Sequence, residues 1–183
     1  MTRRLAIGLL IGLGVAGAVV VAVFGFLVSG IVAGAEPPEI AELDPILTSF
    51  QLDTLDGSRL GPPDLRGDVV VVDMWATWCK PCVIQAEILE KLREEYAGRG
   101  VSFLALNSGE DPETVRGYVE KTPFSYPVLL DPEEKVMGAA ELYALPTLVV
   151  LDPRGDVSYI SIGITGASVV RNAIEEALAV TSG

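Results

Sequence analysis

The sequence contains no histidine and only two cysteines among its 183 residues. Without histidine, the chain cannot form His-ligated zinc or copper sites, a haem held by histidine, or a nucleophile activated by an imidazole base. Two cysteines also cannot provide the four thiolates of a structural zinc cage within one chain. The sequence therefore predicts no metal site.

Basic residues are scarce as well. The chain has 13 lysines and arginines against 25 aspartates and glutamates, which gives a formal net charge of −12. Binding to nucleic-acid phosphates requires clustered Lys and Arg side chains. We therefore expect no nucleic-acid partner.

Charged residues are absent from positions 5–35, and this gap divides the chain. A helix needs roughly 20 apolar residues to cross a bilayer, so the run is long enough to span one. Arg3 and Arg4 precede it and predict a cytoplasmic N-terminus, whereas all 25 acidic residues follow position 35. The sequence therefore predicts an anchor over residues 1–35, a single pass through the cell membrane, and an extracytoplasmic C-terminal domain.

A cleaved signal peptide is the alternative for this segment. Ala33-Gly34-Ala35 fits a small-residue cleavage site. The apolar run is longer than the 7–15 residues usual in a signal peptide, which favours a retained anchor. Both interpretations place the domain outside the cytoplasm.

The rest of the chain divides into a linker and one domain. Residues 36–49 are acidic and contain three prolines, which is typical of a linker. From residue 50 to 183, strand and helix patterns alternate, which predicts an α/β domain with a partly parallel sheet. The pattern predicts a hairpin around Asp56-Gly57, strands at 69–75, 101–107, 125–130, 147–151 and 157–162, and helices at 81–96, 111–121, 132–142 and 167–180, the last capped by Thr165 or Ser168.

Both cysteines belong to one motif, Cys79-Lys-Pro-Cys82, at the start of a predicted helix that follows a buried strand. A helix N-terminus lowers the pKa of a thiol through its partial positive charge and free N–H groups, and Lys80 adds a cation. Cys79 lies at the exposed end and is predicted to attack a disulfide. Cys82 lies one turn further in, where it can resolve the mixed disulfide.

A static structural disulfide is the alternative role for this pair. A ring closed by so short a loop constrains the unfolded chain little, which weakens that interpretation. Trp75 and Trp78 flank the turn and fit a reactive site better.

The stretch WATWCKPC resembles the active site of the thioredoxin superfamily, especially its membrane-anchored extracytoplasmic branch, the TlpA/ResA/CcmG-like thiol-disulfide oxidoreductases. The resemblance covers roughly residues 50–180 and implies a thioredoxin-like fold. The segment between Asn107 and Pro146 is similar to the helix and strand inserted in this branch. The resemblance implies no cofactor beyond the redox-active Cys79–Cys82 disulfide.

Leu145-Pro146-Thr147 is similar to the cis-proline loop of the same family. The resemblance implies a cis peptide bond before Pro146, and a Leu145 backbone that pairs with a client segment beside Cys79. The residues predicted to contact the client are Trp78, Lys80, Pro81, Leu145 and Pro146, and Gln85 and Trp75 are predicted to lie behind them.

Asp73 lies six residues before Cys79, where cytosolic thioredoxins carry a buried aspartate and many TlpA-like proteins carry asparagine. A buried carboxyl group has a raised pKa and can take the proton from Cys82 during exchange. We therefore expect Asp73 to assist catalysis. The alternative is a partly hydrated strand residue.

Two further positions depart from the family pattern. Gln85 stands where these proteins often carry a glutamate, so proton transfer would rest on Asp73 alone. Helical periodicity places Gln85 on an inward face with Ile84 and Leu92. Glu87 replaces a helix-kinking proline and should lie on the solvated face.

The sequence predicts a membrane-anchored thiol-disulfide oxidoreductase that reduces client disulfides outside the cytoplasm. The resemblance implies apocytochrome c or another metalloprotein precursor as the client, and recharging requires a separate membrane thiol reductase. The alternative is a non-catalytic accessory subunit of a membrane complex. A metallochaperone is disfavoured, because the chain offers no histidine and only three methionines.

Overall fold

Residues 40–180 are described by a computed structural model. The predicted anchor over residues 1–35 lies outside them and stays a prediction. Within residues 40–180, no helix is both long and apolar enough to cross a membrane.

Strands and helices alternate along the described residues, as the sequence predicts. The strands are β1 (Leu52–Thr54), β2 (Arg59–Leu60), β3 (Val69–Trp75), β4 (Val101–Ser108), β5 (Val128–Asp131), β6 (Thr147–Leu151) and β7 (Val157–Ile162). The helices are α1 (Ile40–Ser49), α2 (Lys80–Glu95), α3 (Pro112–Val119), α4 (Lys135–Ala139) and α5 (Ala167–Ala179), with a 3₁₀ helix at Pro62–Leu65.

The strands of the described residues form one mixed sheet in the order β2-β1-β5-β4-β3-β6-β7. β3 lies inside it, parallel to β4 and antiparallel to β6. β5 continues the parallel side, and the β1–β2 hairpin completes that edge in antiparallel pairing. Gly57 adopts a φ of +86° in the hairpin turn, which a side chain would disfavour. The partly parallel sheet confirms the predicted α/β class.

The segment between β4 and β6 contains α3, β5 and α4. Asp111 caps α3, since its Oδ1 accepts hydrogen bonds from the N–H groups of Glu113 (3.1 Å) and Thr114 (3.0 Å). Pro112 occupies the first turn, where its missing N–H costs nothing. β5 pairs in parallel with β4, so this segment widens the sheet.

The core consists of two layers, one on each face of the sheet. Val69, Val71 and Trp75 of β3 point to the face on which α2 and α5 pack. Val70 and Met74 point to the opposite face, where α1 and α4 pack. Since β3 is buried on both faces, its near-continuous β-branched sequence needs no polar alternation.

The segment predicted as a linker contains helix α1. Leu47 is fully buried in the core layer that also includes residues of α4. The acidic, proline-containing composition does not prevent this, because Pro45 is exposed while Leu47 and the partly buried Ile46 pack on that core layer. The division into a linker and a domain otherwise stays a prediction.

Two local predictions about helices are wrong. Ile84 is 50 % exposed, and the inward face of α2 consists of Cys82, Gln85, Leu89 and Leu92. Ile84 and Gln85 are adjacent and therefore lie about 100° apart around the helix, so packing buries Gln85 and leaves Ile84 at the exposed edge. Helix α5 begins after Gly166, which has no side chain to cap it, and the Thr165 hydroxyl is hydrogen-bonded to the Ser161 hydroxyl (2.5 Å).

We expect Leu47→Ala to lower the free energy of unfolding by about 2–5 kcal/mol, because it leaves a cavity between α1 and the sheet. Val169→Ala, at a position that is 45 % exposed, is the control and should cost less than about 0.5 kcal/mol. Urea unfolding of the detergent-solubilised full chain measures both. Equal losses would contradict the packing of α1.

Candidate active site at the start of helix α2

The two cysteines lie at the transition from β3 to α2. Cys79 is the N-cap residue of the helix, and it forms a disulfide with Cys82 at a Cα–Cα distance of 5.3 Å. The preceding turn is closed by a hydrogen bond from the Cys79 N–H to the Ala76 carbonyl (3.1 Å). Pro81 lies in the first turn of α2, as predicted. The pair therefore occupies the positive end of the helix dipole.

The disulfide is almost covered. Cys79 is 4 % and Cys82 is 2 % exposed, so the greater accessibility expected for Cys79 is small in the oxidised form. Trp78, by contrast, is 70 % exposed, and Lys80 and Pro81 are exposed on the same turn. The predicted client-contacting residues of this turn thus lie at the surface above the cysteines.

Trp75 has a different environment from Trp78. It is buried, and its ring packs against those of Tyr118 (5.3 Å between centroids) and Phe124 (4.8 Å). These aromatic contacts fix the end of β3 immediately before the turn. Trp75 therefore belongs to the same buried cluster as Cys79 and Cys82.

Asp73 lies in β3 and is completely buried. It alternates with Val71 and Trp75, so it points to the face on which α2 packs. Its neighbours across the sheet are Ala105 and Leu148, and neither carboxyl oxygen has a hydrogen-bond partner among the described residues. Burial raises the pKa of Asp73 well above its ordinary value, so the neutral acid is favoured.

The residues around Asp73 are buried as well. Burial, together with the nearby Asp73 carboxyl group, raises the pKa of the Tyr126 hydroxyl above its ordinary range. That hydroxyl also lacks a hydrogen-bond partner in the described part of the chain. A proton held on Asp73 is therefore screened from bulk water.

The peptide bond between Leu145 and Pro146 is cis, in agreement with the resemblance. Antiparallel pairing of β3 with β6 places Thr147 opposite Met74, so Pro146 lies at the same end of the sheet as the cysteine turn. The Pro146 carbonyl accepts a hydrogen bond from the Gly163 N–H (2.8 Å), which connects this loop to the end of β7. The fold thus brings together two segments that are far apart in the sequence.

Gln85 is fully buried on the inward face of α2, as the periodicity predicts for that residue. Its Oε1 accepts a hydrogen bond from the Thr165 N–H (2.7 Å). This bond connects the active-site helix to the loop before α5. Glu87 is exposed, in agreement with the sequence analysis.

Glu110 is a residue of this region that the sequence analysis missed. Its carboxylate accepts hydrogen bonds from the Thr77 N–H (2.7 Å), the Thr77 hydroxyl (2.5 Å) and the Asn107 side-chain amide (2.7 Å). One signal could have located it: β3 and β4 are parallel, so the turn after Asn107 lies beside the turn after Trp75.

A groove opens beside the cysteine turn, with a volume of about 250 Å³. Trp78 forms one side, and Tyr143, which is 81 % exposed, forms another. The remaining lining residues are Glu134, Met137, Gly138, Leu142 and Leu145. Among the described residues, no group of three or more Cys, Asp or Glu side chains could hold a metal ion.

Comparison with known proteins agrees with this arrangement. The Redoxin family model matches residues 41–178. Thiol-disulfide oxidoreductase ResA of Bacillus cereus is 32 % identical over 131 residues, which cover 72 % of this chain and 74 % of that protein. ResA of Bacillus subtilis is 28 % identical over 124 residues, or 68 % of this chain and 69 % of that protein.

Among solved structures, a thiol:disulfide interchange protein of Chlorobium tepidum TLS, from the thioredoxin family, has the same fold. Its TM-score is 0.63 at 26 % sequence identity, with 80 % of this chain and 99 % of that chain covered. In this chain, the cysteine pair at the start of α2 and the loop with the cis Pro146 lie at the same end of the sheet. The chain therefore belongs to the Redoxin family, and it is a thiol-disulfide oxidoreductase of the TlpA/ResA/CcmG-like branch of the thioredoxin superfamily.

Proposed function

We propose that this oxidoreductase is held in the cell membrane by residues 5–35 and reduces disulfides in extracytoplasmic client proteins. The uncharged run after Arg3 and Arg4 supports the anchor and its orientation. The observation that carries the reducing direction is the buried Asp73 on the face beneath α2, whose carboxyl group has no hydrogen-bond partner among the described residues. Apocytochrome c, during cytochrome c maturation, is the client that the family resemblance favours.

In the first step, the Cys79 thiolate of the reduced protein attacks one sulfur of the client disulfide. A Cys79–client mixed disulfide forms, and the other client sulfur leaves as a thiolate, which takes a proton from water. The helix N-terminus and Lys80 favour the attacking thiolate.

In the second step, Cys82 gives its proton to Asp73 and attacks the Cys79 sulfur. Asp73 must be ionised to accept this proton, which is the minority form of a carboxyl group with a raised pKa, and it holds the proton once the disulfide has formed. The Cys79–Cys82 disulfide forms, and the second client sulfur leaves as a thiolate. Two electrons pass from the protein to the client. The raised pKa of Asp73 suits this role, because a buried carboxylate is a stronger base than one exposed to water.

The client is proposed to lie across the exposed side of the cysteine turn. Trp78, Lys80 and Pro81 line one side of its path, and the backbone of Leu145 beside the cis Pro146 lines the other. The groove next to Trp78 offers space for a client side chain. A membrane thiol reductase would then return two electrons to the Cys79–Cys82 disulfide.

We expect Cys82→Ser to accumulate mixed disulfides between Cys79 and the client, because the second step is blocked. Non-reducing electrophoresis and mass spectrometry of the full-length protein at native expression would identify the trapped partner. The Cys79→Ser, Cys82→Ser double variant is the control and should trap nothing. An empty Cys82→Ser trap would contradict client reduction, and unimpaired function of the double variant would indicate an accessory role.

We expect Asp73→Asn to change how stability depends on pH. Because the pKa of Asp73 is raised in the folded protein, the unfolded chain releases this proton at a lower pH, near the ordinary carboxyl pKa of 3.8. The wild type therefore loses stability relative to the variant as the pH rises from about 4 toward the folded-state pKa, with a limiting slope of about 1.4 kcal/mol per pH unit. Unfolding of both proteins in the disulfide form at a series of pH values measures this, and parallel curves would contradict a neutral buried Asp73.

The anchor predicts that the full chain stays in the membrane fraction after alkaline carbonate extraction, and that a variant lacking residues 5–35 does not. For orientation, Glu176→Cys on the exposed side of α5 can be introduced into the double-serine variant. A membrane-impermeant maleimide should label it from outside the cell, whereas the double-serine variant stays unlabelled. A shortened, freely soluble product would indicate a cleaved signal peptide, and labelling only after lysis would place the domain inside.

A further inference from the structure

Glu110 holds the turn that carries Cys79. Its carboxylate accepts two hydrogen bonds from Thr77, through the backbone N–H (2.7 Å) and the hydroxyl (2.5 Å), and one from Asn107 (2.7 Å). Thr77 stands two residues before Cys79, while Glu110 is 33 positions later than Thr77 in the sequence. The contact therefore ties the cysteine turn to the end of β4.

This contact also brings a negative charge to the start of α2. Glu110 is half-buried, so water screens its charge less than that of an exposed side chain. No lysine or arginine of residues 45–180 forms an ion pair with it, and its three donors are all uncharged groups. The charge is therefore not cancelled within the described part of the chain.

A fixed negative charge near a thiolate disfavours that thiolate. The helix N-terminus and Lys80 act in the opposite direction on Cys79. A destabilised thiolate makes the reduced dithiol less stable relative to the disulfide, and a dithiol of that kind gives up its electrons more readily.

We propose that Glu110 is a positioning residue of the active site, which fixes the turn through Thr77 and holds a negative charge beside Cys79 that makes the dithiol a stronger reductant. The proposal rests on the redox activity of the cysteine pair, and it requires neither a particular client nor a particular membrane partner.

Glu110→Gln tests the charge, because glutamine has the same size, keeps a carbonyl oxygen for the N–H donors, and can donate to the Thr77 hydroxyl oxygen. Two properties of the full-length protein are measured: the pH at which Cys79 ionises, followed by thiolate absorbance, and the dithiol–disulfide equilibrium with glutathione, followed by alkylation and mass spectrometry. Glu113→Gln is the matched control, since it removes one charge from an exposed position in the first turn of α3.

We expect Glu110→Gln to move the ionisation of Cys79 to lower pH, and to favour the dithiol over the disulfide by about three- to tenfold, where tenfold corresponds to about 30 mV. Glu113→Gln should leave both properties unchanged. Thr77→Val removes one hydrogen bond and keeps the charge, so it should lower the unfolding temperature with little effect on the glutathione equilibrium.

The proposal would be overturned if Glu110→Gln and Glu113→Gln showed the same Cys79 ionisation and the same glutathione equilibrium. Glu110 would then have a structural role only. If Glu110→Gln did not fold, Glu110→Asp would replace it. Aspartate withdraws the charge by one methylene, so it should shift the equilibrium in the same direction by a smaller factor, and no shift would again overturn the proposal. If the glutathione equilibrium of the wild type favoured the dithiol, as it does in a protein that oxidises its clients, the proposed reductase would be contradicted, whatever the variants do.

Discussion

Strand β3 is the constraint on which the rest of the structure depends. All seven of its residues are buried, and both of its edges are hydrogen-bonded, to β4 in parallel and to β6 in antiparallel register. A one-residue shift would exchange its two faces and place Asp73 on the side away from α2. The register therefore fixes where β3 ends, and with it the position of the cysteine turn, the cis-proline loop and the Glu110 contact.

This arrangement gives two carboxyl groups of the site, those of Asp73 and Glu110, opposite surroundings. Asp73 is enclosed by apolar neighbours, accepts no hydrogen bond within the described residues, and has a raised pKa. Glu110 accepts three hydrogen bonds at the rim of the sheet. One group is suited to holding a proton, and the other to holding a turn and a charge. The same chemical function thus serves two purposes because the surroundings differ.

Local sequence patterns were sufficient to predict much of the fold and the centre of the site. The β-branched run 69–75 predicted β3, and the CxxC spacing at a strand-to-helix transition located the cysteines, because both signals lie within a few consecutive residues. Helix α1 was missed, since its proline and acidic residues are typical of a linker and only packing on the sheet shows that Leu47 is core. Glu110 was missed because its partner Thr77 is 33 positions away, and such a contact has no local signature.

The reacting groups and the exposed side chains around them lie at different depths. Cys79, Cys82 and Asp73 are almost or fully buried, whereas Trp78 and Tyr143 are 70 % and 81 % exposed. Substitutions of the exposed side chains can change which client surface binds without disturbing electron or proton transfer at the buried groups. They also have little effect on the stability of the core. Recognition can therefore diverge quickly between related proteins while the redox chemistry stays the same. Among relatives, differences in substrate preference should accordingly correlate with differences in exposed side chains such as Trp78 and Tyr143, and not with differences in the cysteine motif.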